Sequence, residues 1–132
     1  MKDLAQVTRG RRELRRSTAT LLEALGATSD EVASRLEEFG VRGFVADSRG
    51  CAVATYLNAV VGSDPQVRSV AVLAERVLIS PMKRWRPPVT VALPESVRRF
   101  VAEFDAGKYP RLVRRPGDPS PAPQIPGLAD RS

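Results

Sequence analysis

The sequence predicts an α+β fold: three N-terminal helices, then a three-stranded antiparallel sheet covered by a C-terminal helix. A basic N-terminal arm precedes the fold, and a disordered, Pro-rich tail follows it. Three observations carry this expectation. Apolar residues recur at helical spacing through the first half of the chain, period-2 alternation occurs three times between Val67 and Leu93, and an amphipathic helical pattern follows directly. The divisions expected are residues 1–13 as a flexible basic arm, 14–113 as one globular domain and 114–132 as the tail.

The first helix is expected from about Glu13, because Gly10 interrupts the arm and Leu14, Leu21, Leu22 and Leu25 then share one face up to Gly26. Thr28-Ser29-Asp30-Glu31 reads as a capping box that opens a second helix. Val32, Leu36 and Phe39 form its stripe, and Gly40 closes it. The short link predicts that these two helices pack as an antiparallel pair. Val41 to Val45 is a connection. Asp47 and Ser48 are the expected caps of a third helix, with Val53, Leu57, Val60 and Val61 inward, and Gly62-Ser63-Asp64-Pro65 stops it.

Val70 and Val72 alternate with Ser69 and Ala71, Val77 and Ile79 with Leu78 and Ser80, and Val89, Val91 and Leu93 with Thr90 and Ala92. That alternation suits strands with one buried face. Ala74-Glu75 is a poor primed turn, so the first strand link is expected to be longer than it looks. The second link holds Pro81, Pro87 and Pro88, which cannot donate ladder hydrogen bonds, and must be a loop. In the last helix Pro94 takes the first position and Glu95 complements the dipole. Val97, Phe100, Val101 and Phe104 make one stripe, and Gly107 is the stop. Tyr109 to Val113 is expected to pack a final turn.

Composition removes several chemistries. The chain has no histidine and one cysteine, Cys51, which excludes the usual zinc and haem sites and any Ser-His or Cys-His nucleophile. Cys51 is read as a small buried residue. Gly40-Val41-Arg42-Gly43 matches neither a P-loop nor a dinucleotide fingerprint. Adjacent Glu37 and Glu38 point apart on a helix. The protein is therefore expected to be non-enzymatic, with no catalytic residue, metal or cofactor. No apolar run reaches the roughly 20 residues of a membrane helix. The basic start lacks the apolar centre of a secretion signal, so a cytoplasmic protein without a membrane partner is expected.

The net charge is +6, and the 21 basic residues are arginine except for Lys2, Lys83 and Lys108. Arginine suits bidentate contact with phosphate or carboxylate, although a GC-rich genome produces the same bias. Residues 1–16 hold six basic side chains against two acidic ones, and residues 17–65 are acidic. Two stretches stand out as candidate contacts. Lys83, Arg84, Trp85 and Arg86 place three cations and the single tryptophan in the Pro-bounded loop. Arg9, Arg11, Arg12, Arg15 and Arg16 form the basic arm. The functional reading is contact with a DNA or RNA backbone, with Trp85 stacking on a base. The alternative is a protein–protein interaction module that self-associates as a homo-oligomer or docks an acidic protein. The bland reading has the cations merely solvated and Trp85 folded back over the sheet edge.

Overall fold

Alternating valines build the sheet. In the computed structural model, which describes residues 4–114 with side chains from residue 10, β1 (Val67–Val72), β2 (Arg76–Pro81) and β3 (Val89–Ala92) pair antiparallel in the order β1-β2-β3. The register sets Val70, Ile79 and Val89 in one row and Val72, Val77 and Val91 in the next. All six are buried. Val67 is buried too, although three residues from Val70 it would face the other side of a regular strand. A register irregularity between Val67 and Ser69 brings both inward. The β1–β2 link is tight, not long: the Leu73 amide donates to the Arg76 carbonyl at 2.8 Å, and neither Ala74 nor Glu75 has a positive φ.

Four helices surround the sheet among the described residues: α1 (Leu4–Glu23), α2 (Ser29–Glu38), α3 (Ala52–Val60) and α4 (Glu95–Asp105). α1 begins at Leu4, well before Glu13, so most of the stretch expected as an arm is helical in backbone. One glycine inside a helix costs only about 1 kcal/mol, too little to break it. Gly10 also faces Gln66, whose Oε1 lies 3.2 Å from where a Cβ would sit. The expected tail, beyond Arg114, lies outside the described residues.

Thr28 caps α2 as its sequence requires. The Glu31 amide donates to Thr28 Oγ1 at 3.2 Å, and Glu31 Oε1 accepts from the Ala27 amide at 2.8 Å. The cap of α3 is Cys51, whose Sγ accepts from the Ala54 amide at 3.5 Å, and not Asp47 or Ser48. Asp47 instead folds the preceding loop, its Oδ1 accepting from the Arg49 and Gly50 amides at 3.0 Å each. Pro94 stands one residue outside α4 as its cap.

The core joins all these elements, but its pairing differs from the sequence expectation. α1 lies against β3 and α3 against β1, while the closest partner of α2 is α4. The helices packed most closely on the sheet are thus α1 and α3, whereas α4 lies chiefly against α2, and α1 and α2 do not form the expected close pair. Phe100 is fully buried and its ring stacks on Phe104 (5.7 Å) and Tyr109 (5.1 Å). The Tyr109 hydroxyl donates to Asp30 at 2.8 Å, tying the segment after α4 to the start of α2. A 3₁₀ turn, Pro110–Leu112, then buries Leu112.

After that turn the chain passes beside Gly43. The Gly43 amide donates to the Leu112 carbonyl (2.8 Å) and the Arg114 amide to the Gly43 carbonyl (2.7 Å), a parallel bridge between distant segments. Only glycine fits there, because a Cβ would run into Cys51 and Ala52 and sit 2.6 Å from the Gly50 carbonyl oxygen. At the outer edge of β1, the Asn58 side chain donates to the Val70 carbonyl (3.1 Å) and accepts from the Val70 amide (3.2 Å). No helix among the described residues is long and apolar enough to cross a membrane.

Candidate nucleic-acid interface

The loop between β2 and β3 is a hairpin tip shaped by its prolines. The Arg86 amide donates to the Lys83 carbonyl at 3.1 Å, so Lys83 to Arg86 form a turn with Arg84 and Trp85 at its two corners. Both corner residues are exposed, and Pro87 and Pro88 lead the chain back into β3. Trp85 does not fold over the sheet edge: it is 74% exposed. Two cations flank its ring, Arg86 with its guanidinium carbon 4.8 Å from the centroid and Lys83 with Nζ at 5.8 Å. These contacts hold the indole without covering it.

Helix α1 supplies the second stretch. Arg11 Nη1 donates to the Pro87 carbonyl at 2.8 Å, which joins the helix directly to the loop. At about 100° per residue, Arg11, Arg12, Arg15 and Arg16 fall within an arc of about 140°. Arg11 is half-buried at the edge of that arc, and Arg12, Arg15 and Arg16 are exposed. Arg9 lies in the same helix, but its side chain is outside the described ones. Glu13 lies about 60° beyond the Arg16 edge of the arc. Leu14, Thr18, Leu22 and Leu25 turn inward and fix the rotation of the helix.

Ion pairs are few among the described residues, and Arg35, Arg42, Arg49, Arg68, Arg76 and Arg98 have none, as in this region. Elsewhere Lys108 meets Glu103 at 3.1 Å, Arg111 meets Glu37 at 3.5 Å and Arg99 meets Glu95 at 3.6 Å. Among the described residues, Arg11, Arg12, Arg15, Arg16, Lys83, Arg84 and Arg86 have no carboxylate within ion-pair distance. Between α1 and the loop lies a cavity of about 310 Å³, with Leu14, Ile79, Met82 and Val89 as its apolar wall and Arg11, Lys83 and Arg86 among its lining. Met82, 54% exposed, is the member that the sequence did not single out. Its only signal was its place beside Pro81.

Other candidates fall elsewhere. Arg76 starts β2 and so sits a strand's length from the loop, and Arg98 lines a different cavity beside Asp47, Glu75 and Asp105. Cys51 is buried at 4% exposure, and burial pushes its thiol above the ordinary value, which favours the protonated form over a nucleophilic thiolate. No family model matches this chain, and neither the curated proteins nor the solved structures searched contain a similar one.

Proposed function

We propose that the protein is a non-enzymatic, cytoplasmic nucleic-acid-binding accessory factor that grips the phosphate backbone with α1 and the β2–β3 loop. The observation that carries this reading is the exposed Trp85, with Lys83 and Arg86 against its ring, on a loop that Arg11 fastens to a row of arginines without an ion pair among the described residues. An aromatic face framed by cations suits a single strand: the base stacks while neighbouring phosphates meet the charges. Stacking of this kind contributes about 1–3 kcal/mol per base and tolerates any sequence. Phosphate contacts position without specifying, so binding should be largely sequence-independent.

The test is a fluorescence-anisotropy titration of single-stranded and duplex oligonucleotides at two salt concentrations. Arg12→Ala, Lys83→Ala and Arg84→Ala together should flatten the single-strand salt slope by about 2, at roughly 0.7 per lost contact. Arg11 is left in place because it holds Pro87. Trp85→Ala should weaken single-strand binding more than duplex binding. Absence of binding by the unaltered protein at low salt sinks the reading.

A second reading rests on Met82 and Trp85, two large apolar side chains exposed on the same tip. Such a tip suits self-association or a protein partner, with the surrounding cations selecting an acidic one. Its hydrophobic contacts would survive salt that strips nucleic acid from the cations.

A further inference from the structure

We infer that the cavity between α1 and the β2–β3 loop, of about 310 Å³, binds a small carboxylic acid with an apolar body, whose hydrocarbon fills the cavity while its carboxylate meets Arg11, Lys83 and Arg86. Such a ligand needs no nucleic acid. The apolar cover of α1 runs out at this cavity. Leu14, Thr18, Leu22 and Leu25 share one face of the helix, and the last three are at most 1% exposed. Leu14, one turn closer to the helix start, is only partly covered, and it lines the cavity. Ile79 and Val89, register partners on β2 and β3, are buried and form the floor. Met82, 54% exposed, stands at the open side.

Three cations converge on the same space from two elements. Arg11 stands one turn before Leu14 on α1, and Lys83 and Arg86 are the two ends of the loop turn. Each already has a partner, and among the described residues those partners are neutral. Arg11 Nη1 donates to the Pro87 carbonyl at 2.8 Å, and Lys83 and Arg86 lie against the Trp85 ring. A carbonyl and an indole hold these groups without cancelling their charge. Among the described residues no carboxylate lines the cavity, and none lies within ion-pair distance of the three cations. Other arginines also lack ion pairs, but here three cations share one apolar wall. That combination selects a ligand with both characters: a hydrocarbon alone leaves the charges unanswered, and a bare anion leaves the wall wet. A carboxylate is the smallest head that matches a guanidinium fork bidentately. The volume is at the small end for ligand sites, which suits a medium-chain acid and excludes a polymer segment.

The experiment is a titration of the full chain with butanoate, hexanoate and octanoate, followed by methyl NMR. The Ile79 and Met82 methyl resonances should shift saturably, while those of Leu36, outside the cavity lining, stay fixed. Octanoate should bind with a Kd below about 1 mM. Each added methylene should tighten binding about fourfold, the ratio that burial of one CH₂ contributes. 1-Octanol, with the same chain and no charge, should bind the unaltered protein roughly tenfold more weakly than octanoate. Lys83→Gln with Arg86→Gln should weaken octanoate roughly tenfold and leave octanol within about twofold, with an unchanged circular dichroism spectrum. Arg12 and Arg84 belong to the proposed nucleic-acid surface and do not line the cavity. Replacing both with Ala should leave octanoate affinity within about twofold, so failure of that surface and failure of this site are told apart. Four results would each overturn the assignment: no saturation up to about 10 mM octanoate, equal affinity for butanoate and octanoate, equal affinity for octanol and octanoate, or shifts confined to methyls outside the cavity.

Discussion

Replacing Gly43 by alanine tests how tightly the close of the fold is built. The added methyl meets backbone on two sides, Cys51 and Ala52, and lies 2.6 Å from the Gly50 carbonyl oxygen. None of these is a flexible side-chain end, so the chain itself must move. Overpacking of this kind costs about 1–3 kcal/mol. The movement also strains two backbone hydrogen bonds, Gly43 to Leu112 and Arg114 to Gly43, each contributing about 0.5–1.5 kcal/mol. The expected loss is about 3–5 kcal/mol, a large part of the 5–15 kcal/mol that holds a typical domain. At roughly 5 °C per kcal/mol this lowers the melting temperature by about 15–25 °C. Urea denaturation followed by circular dichroism reads the same loss as a shift in midpoint at constant slope. Gly107→Ala is the comparison: it has open space around it but a φ of 89°, so it should cost only about 1–2 kcal/mol. A Gly43→Ala variant that loses less than Gly107→Ala would refute the close-approach argument.

Phe100→Ala removes a fully buried ring that stacks on two others and should cost about 3–5 kcal/mol in the same denaturation assay. Thr18→Val replaces a buried hydroxyl that has no hydrogen-bond partner among the described residues with a methyl of the same shape, and should be neutral or stabilising by about 1–2 kcal/mol. Cys51 should label slowly with a thiol reagent in the folded state. Because burial raises its pKa, the fold favours the protonated thiol. That contribution is complete below the ordinary thiol value and is lost as pH rises through the folded one, so Cys51→Ala should flatten the alkaline fall in stability relative to the parent chain.

What was legible in the sequence was local. The Thr28–Glu31 capping box works because both partners lie within one turn, and the valine alternation names the buried sheet face because a strand has period two. The stripe from Val97 to Phe104 marks a buried face for the same kind of reason. Its partner was not legible, because the stripe says that a helix needs cover but not which element supplies it. Gly10 misled for a simple reason: glycine weakens a helix but does not end one when the flanking residues are helix formers. The candidate surface divides in the same way. Its cations and Trp85 could be read directly, whereas the Arg11–Pro87 contact spans 76 positions and depends on how α1 rolls onto β3.

Asn58 acts as a substitute strand. Its carboxamide presents one donor and one acceptor to Val70, the same pair of groups that a neighbouring peptide unit would offer. β1 is an outer strand, and outer strands are where chains add to one another by edge-to-edge pairing. Here that position is already occupied by a side chain from α3, and the next amide along, Val72, is taken by the Ser48 carbonyl at 2.6 Å. At these positions β1 is therefore closed to a further strand, which leaves β3 as the other outer strand of the sheet. Asn58→Leu would strip the Val70 amide and carbonyl of that partner while Ser48 still holds Val72, opening one step of the edge to strand addition.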